Sequence, residues 1–369
     1  MKAIKYLLMG MLVFGSAAPA MAQDTKAITE QATKVIKTQG SDLKDQVKQW
    51  YKEYKKNPEA LVAIGQAFLH QKDLDHAEMF ADYALKRDGK FAKAFLLKGD
   101  IAVSKDDAGG AAENYQQAKY FDPKNPDAYY KYAMILRGRS PEEAVANLEE
   151  LRTQRPDYPV DALCGRVCYI AQNYEKAESY YDKVADKTKM SDEDITYYAM
   201  STWLLGKREK SIDICKTGLA RDPRRSGWNR IAFYNYTDLK KTAEALDYAD
   251  RLFNKSDSVH FIGEDYIYHG TVLQQAERWD EAIQAFEQAI EFNKGNSKQI
   301  AIINKNLSDV YLKKGDSDKA VEYFEKSFDT NQPTMDNLDN LGTLYATIAS
   351  QKVQAGDQAG AEEAFKKAD

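Results

Sequence analysis

The sequence has little of what breaks, staples or decorates a chain. Only 9 Pro and 20 Gly occur among 369 residues, and they are spaced out. That spacing excludes long low-complexity or disordered tracts. Three cysteines are too few for a disulfide scaffold, which uses many more per residue. Four scattered histidines offer no evident metal site. The catalytic patterns HExxH, GxSxG and GxxxxGK followed by Ser or Thr are missing. Beyond residue 22 no segment is apolar enough to cross a bilayer. Positive charge is not in excess: the net charge is −5, which disfavours phosphate backbones, and no block of like charge suggests a binding tail. A non-catalytic protein with no cofactor, no metal and no nucleic-acid partner is expected.

What remains is an ordered, water-soluble chain, 43% hydrophobic and 30% charged. At this length it exceeds one ordinary compact core. Its start reads as an export signal over residues 1–22. Lys2 and Lys5 supply the positive charge, an apolar stretch runs from about Tyr6 to Ala18, and Ala20-Met21-Ala22 places small residues where a signal peptidase cuts, before Gln23. The apolar stretch is shorter than the ~20 residues of a bilayer span. No cysteine follows it, so no lipid anchor is expected. Losing Lys2 and Lys5 takes the net charge from −5 to −7. The mature chain is expected in the periplasm or outside the cell.

Export permits disulfides, but Cys164 and Cys168 stand at i and i+4 of one helical pattern, where bridging geometry is poor. All three cysteines read as small apolar core residues, with a bridge from Cys215 to either of the others left open. His269, beside Gly270, reads as a packed histidine; His70 and His76 flank a turn and His260 falls in a loop.

Internal repetition organises the rest. Ala77-x3-Ala81-x2-Ala84 is followed 34 residues later by Ala111-x3-Tyr115-x2-Ala118. Twelve residues before each stands a glycine, Gly65 and Gly99, again 34 apart. The series continues with Ala133 and Ala144 (one residue missing from the turn between), Gly165 and Ala177, Ala199 and Ser211, Ala232 and Ala245, Gly270 and Ala282, Ser308 and Ala320, and Gly342 and Ala361. The last spacing needs a first helix about two turns longer. Each unit predicts two antiparallel helices, A and B, meeting where the eighth residue opposes the twentieth. Only Gly, Ala or Ser lets two backbones approach there. Bulky residues beside that crossing fill the remaining space, as Phe68, Leu136, Leu273, Tyr311, Phe286 and Phe324. Pro123, Pro156 and Pro223 stand where helix B must stop.

This pattern resembles the tetratricopeptide repeat family across almost the whole mature chain. The resemblance implies an all-α, right-handed superhelical solenoid. About nine repeats over residues 58–369 start near 58, 92, 126, 158, 192, 225, 263, 301 and 335. Longer connections precede the seventh and eighth, where small changes of pitch are expected. Residues 23–57 read as a degenerate or capping pair, with Leu43, Val47 and Trp50 in place of small residues. No such cap follows the last pair, so a partner is expected to cover that end or the last helix to fray.

In this family helix A lines a concave groove. Projecting the family's groove positions gives Tyr130, Met134, Arg137, Arg166, Tyr169, Tyr197, Met200, Trp203, Arg230, Phe233 and Tyr236 in the middle repeats. Toward the C-terminus it gives the polar Lys305, Asp309, Asp339, Asn340 and Thr343. Aromatic and Arg side chains are the commonest binding anchors. The carboxylate clamp of some family members needs Asn where Asp309 stands, so chaperone-tail recognition is not expected. The expected role is a scaffold that binds a peptide or partner protein, as exported members do in envelope assembly, secretion or TonB-linked transport. The alternative is a carbohydrate-binding protein whose aromatics stack on sugar rings, although such repeat proteins carry a lipid-attachment Cys and large insertions that this chain lacks. The export reading has a direct consequence: intact-mass measurement of the protein from its native envelope gives an N-terminus at Gln23, and a retained Met1 overturns it.

Overall fold

The structure, a computed structural model, describes residues 20–39, 43–257, 259–328 and 333–368. Most of the expected signal peptide, residues 1–19, lies outside the described residues; Ala20-Met21-Ala22 forms the first turn of α1 (Ala20–Gln39). The described residues are overwhelmingly α-helical, with one isolated β-bridge between Arg225 and Asp257 and no strand. The chain divides into two compact units between Ala185 and Asp186.

In the first unit α2 (Lys44–Tyr54) precedes four helical hairpins: α3 (Pro58–His70) with α4 (Leu74–Arg87), α5 (Ala92–Ser104) with α6 (Ala108–Phe121), α7 (Pro126–Leu136) with α8 (Pro141–Gln154), and α9 (Val160–Ile170) with α10 (Tyr174–Lys183). The second unit holds five: α11 (Asp192–Leu204) with α12 (Arg208–Leu219), α13 (Ser226–Asp238) with α14 (Thr242–Asp250), α15 (Gly263–Gln275) with α16 (Trp279–Phe292), α17 (Ser297–Lys314) with α18 (Ser317–Glu325), and α19 (Met335–Gln354) with α20 (Gln358–Ala368). Within each unit every hairpin packs on the next, B helix against the following A helix, and successive A helices also touch at α3–α5, α7–α9, α11–α13, α13–α15 and α15–α17.

Local chemistry sets these boundaries. Asn57 and Asn125 cap helices whose first residue is Pro, where a missing N–H costs nothing. Asp73, Asp107, Asn173 and Asp316 cap B helices by accepting from the backbone N–H three residues on. The residue before the B-helix cap closes the turn in the left-handed region: Lys72, Asp106, Gln172, Gly206, Lys240, Glu277, Gly315 and Gly356. Only α7–α8 lacks it, among the described residues.

The small residues of the repeat sit where backbones come close. Gly65 shows the expected approach to the twentieth position: a methyl group there would stand 3.2 Å from the Ala77 carbonyl oxygen. At Gly99, Gly165 and Gly270 the nearest neighbour is instead the ring four residues beyond the twentieth position. A methyl on Gly165 would meet the Tyr181 ring at 2.8 Å, one on Gly270 the Phe286 ring at 2.7 Å, and Gly99 lies against Tyr115 in the same way. These rings are buried.

The N-terminal pair closes the first hairpin. Helix α1 lies along α3, with the Thr29 hydroxyl donating to the Ala63 carbonyl at 3.2 Å. Trp50 packs edge-on against Phe68 and Phe80, centroids 6.0 and 6.5 Å away. At the other end Met335, Leu338, Val353 and Phe365 are exposed on α19 and α20.

The connection before α15 is long. It runs through a π-helical turn, Arg251–Lys255, that packs on α13. Before the eighth hairpin the extra residues lengthen α17 to 18 residues instead of forming a loop. All three cysteines are buried free thiols, and burial pushes each thiol up, that of Cys168 to about 11. His269 stacks on Phe253 at 4.6 Å, and burial, helped by Arg278, pulls its pKa below the usual value. The tight crossings predict that Ala282→Leu, at a fully buried site beside Phe286, destabilises by about 1–3 kcal/mol. A circular-dichroism melt unchanged within error refutes the crossing geometry.

Candidate functional site

The side chains projected to a common groove divide by unit. In the first unit the structure brings together Tyr130 on α7 and Arg166 on α9. Arg166 Nη1 donates to the Tyr130 hydroxyl at 3.0 Å, and its guanidinium lies 5.7 Å from the ring centroid. Beside them Lys131 is 2.6 Å from Asp100, which also accepts from the Tyr115 hydroxyl at 2.8 Å. Burial raises the carboxyl of Asp127, and Lys131 partly offsets it. The other projected residues lie elsewhere. Met134 is buried, Arg137 bonds back onto the Met134 carbonyl at the end of α7, and Tyr169 packs on Tyr174, 5.8 Å between centroids.

In the second unit a denser cluster forms on the A helices. Trp203 on α11 lies 6.2 Å from Tyr234 on α13, and Tyr234 stacks on Tyr268 of α15 at 3.9 Å and 7°. The Arg208 guanidinium stands 5.8 Å from the Trp203 ring and pairs with Asp238 at 2.7 Å; Asp238 in turn accepts from the Tyr268 hydroxyl. At the other edge Asp265, with no solvent exposure, accepts from Arg230 Nε at 2.6 Å and Nη2 at 2.8 Å, and from the Tyr234 hydroxyl at 2.8 Å. Burial and the Asp265 charge push the Tyr234 phenol far above its usual range, so it stays a donor. Trp203 is half-buried, yet its indole N–H is shielded from solvent and has no acceptor among the described residues.

Two projected residues are corrected here. Phe233 is fully buried, and Tyr236 is buried against Tyr248 at 5.2 Å. The reason is that α13 packs against α11, α12, α14, α15 and the Arg251–Lys255 turn, so most of its side chains are core, with Arg230 and Asp238 left partly exposed. Tyr197 is occupied along its own helix, its hydroxyl donating to Glu193 at 2.9 Å. The projection missed Tyr234, Asp238, Asp265 and Tyr268. The one available signal was an acid, Asp265, standing about one repeat after Arg230.

Comparison with known proteins agrees with this architecture. A family model described as tetratricopeptide repeat matches residues 266–332. Among curated proteins, the photosystem I assembly protein Ycf3 of Prochlorococcus marinus strain MIT 9303 is 26% identical over 105 residues, 28% of this chain and 60% of that protein. Ycf3 of strain MIT 9211 is 29% identical over 105 residues, with the same coverage. The chain thus spans about three-fifths of the length of the curated relatives it matches. Among solved structures, a tetratricopeptide repeat protein from Parabacteroides merdae is 19% identical with a TM-score of 0.43, covering 69% of this chain and 98% of that one. The C-terminal part of a repeat protein from Cytophaga hutchinsonii is 17% identical with a TM-score of 0.46, covering 65% and 93%.

Asp265 is the pivot of the second cluster. Besides Arg230 and Tyr234 it accepts from the Ile262 backbone N–H at 2.9 Å, which ties it to the start of α15. Removing the carboxylate leaves the buried Tyr234 hydroxyl without its acceptor and Arg230 without its counter-charge, with only the His260 carbonyl still bonded to the guanidinium. Asp265→Ala is therefore expected to destabilise by about 3–5 kcal/mol. Arg230→Met combined with Asp265→Leu recovers part of that loss, because no lone charge is then buried. Urea unfolding of the three proteins measures both numbers; equal stability of Asp265→Ala and the parent refutes the role.

Proposed function

We propose that this tetratricopeptide repeat protein is a non-catalytic scaffold of the bacterial envelope, binding an extended peptide or partner segment on the A-helix face of α11, α13 and α15. The observation that carries the reading is the cluster of Trp203, Tyr234 and Tyr268 framed by two ion pairs. Aromatic rings offer large contact area for little lost side-chain freedom, and Arg offers a forked donor to carboxylates. Arg208 and Asp238 are each about a quarter exposed, at 26% and 27%, so a partner's carboxylate can compete for the guanidinium. Arg166 and Tyr130 form a smaller candidate patch of the same chemistry in the first unit.

Two further considerations support the setting. The export pattern ending at Ala22 favours the envelope for the mature chain, where assembly, secretion and TonB-linked systems are the candidate partners. Relatives named for photosystem I assembly fit a scaffold that holds other proteins. The second reading, carbohydrate binding, draws on the same aromatic faces.

A pull-down from envelope extract, run beside a glycan array, identifies the ligand class; a glycan hit with no protein partner selects the second reading. With the captured partner, calorimetric titration gives the anchors. Trp203→Ala is expected to lose more than about 1 kcal/mol of affinity, as hot spots do, with an unchanged melt. Arg166→Ala is expected to lose a similar amount, and more of it at low salt than at high salt. Asp339→Ala and Thr343→Ala change little. Unchanged affinity in Trp203→Ala with a lowered melt makes the cluster packing only and refutes the proposal.

A further inference from the structure

The hairpin α7–α8 departs from the rule the other hairpins follow. The spacing from Ala133 to Ala144 is a residue short, the four-residue turn between the helices carries no left-handed residue, and α7 stops after 11 residues where α3 and α5 run for 13. The neighbouring helices α5 and α9 keep their ends, so a gap opens over the stump of α7. It is a crevice of about 550 Å³. Val103, Ile135 and Leu136 line it with apolar surface, and Ile170, 36% exposed, forms one wall. The rim carries two guanidinium groups, Arg137 and Arg139, against one carboxylate, Asp106. Arg137 donates to the carbonyl of Met134. Arg139 is exposed and makes no ion pair among the described residues. Ala108 and Gly109, in the first turn of α6, also line the crevice, and the Asp107 carboxylate caps that helix by accepting from the Gly110 N–H.

We propose that this crevice is a second docking site, which takes a peptide segment carrying an apolar side chain followed by a carboxylate. The apolar lining removes the side chain from water. The rim's excess of guanidinium over carboxylate, with Arg139 in no ion pair among the described residues, receives the negative group. The site lies wholly within the first unit and shares no residue with the α11–α13–α15 cluster, so it stands or falls independently of the role assigned there.

Methyl-resolved NMR of the full-length chain tests it with three probes at millimolar concentration: acetyl-Leu-Asp-amide, acetyl-leucine with a free carboxylate, and acetyl-Leu-Asn-amide. The expected result is shifts confined to the methyls of Val103, Ile135, Leu136 and Ile170 with one or both acidic probes, and binding about tenfold weaker with the Asn probe. Which acidic probe binds tells whether the carboxylate is a side chain or a chain end. Arg139→Glu and Ile170→Asp are each expected to abolish the shifts without moving the melt. Should Ile170→Asp lower the melt, Arg139→Glu, on an exposed turn, decides alone. No shift with any probe, equal binding of the Asn and acidic probes, or full binding by Arg139→Glu overturns the proposal.

Discussion

The contact on which this fold depends is an aromatic ring laid flat against a glycine. Tyr181 on Gly165 and Phe286 on Gly270 occupy the volume a side chain would need, and Tyr115 does the same at Gly99. The ring belongs to helix B and the glycine to helix A, so the pair fixes both the distance between the two helices and their rotation about their axes. Once those are fixed, the remaining apolar faces of the hairpin meet the next hairpin and no other surface. A crossing closed by backbone against backbone tolerates no added methyl group. A crossing closed by a ring against a glycine tolerates none either, yet it buries far more apolar area. Where Ala takes the place of the glycine the ring gives way to a smaller residue, Leu148 with Ala133, Cys215 with Ala199 and Ala249 with Ala232.

That contact was legible in the sequence because it repeats. Gly65 and Gly99, each twelve residues before a small-residue helix and 34 apart, specify the helical pair through period and residue size together. The site was less legible, for a physical reason. Groove positions can be projected from one repeat to the next only if every A helix is exposed on the same side. Helix α13 is not. Phe233 packs against Tyr268 of α15 and Tyr236 against Tyr248 of α14, so side chains placed at binding positions by spacing become core. Trp203 and Arg230 did join the candidate cluster. Their partners Tyr234, Asp238, Asp265 and Tyr268 come from three-dimensional neighbourhood, which spacing alone does not encode.

The charges of that cluster are already paired with one another. Arg230 is held by a carboxylate with no solvent exposure, and Arg208 by one at the edge. The two pairs have different consequences. The buried pair is costly to break and contributes order: it positions Tyr234, whose phenol stays protonated, beneath Tyr268. The edge pair is screened, weak and exchangeable. A binding surface built this way has a rigid aromatic floor and a mobile charged margin. Pre-organisation of the floor lowers the entropy lost on binding, while exchange at the margin lets a partner's carboxylate pair with Arg208 and leaves Asp238, partly exposed, to water and the Tyr268 hydroxyl.

The departure at α7–α8 follows from the same constraint. A hairpin keeps its crossing if residues are removed at the end where the turn lies, and the small residues of this crossing, Ala133 and Ala144, both stay buried. The missing residue between them is taken from the end of α7, which stops at Leu136 ahead of a four-residue turn. What it removes is the cover that the end of α7 would give to Ile135, Leu136 and the wall formed by Ile170. In a repeat array each hairpin shields its neighbours' flanks, so shortening one helix exposes apolar surface on two others. Shortening an A helix at its turn end is thus a route by which such a protein acquires a pocket without disturbing its core, and Arg137 and Arg139 follow directly on the shortened helix and line that pocket.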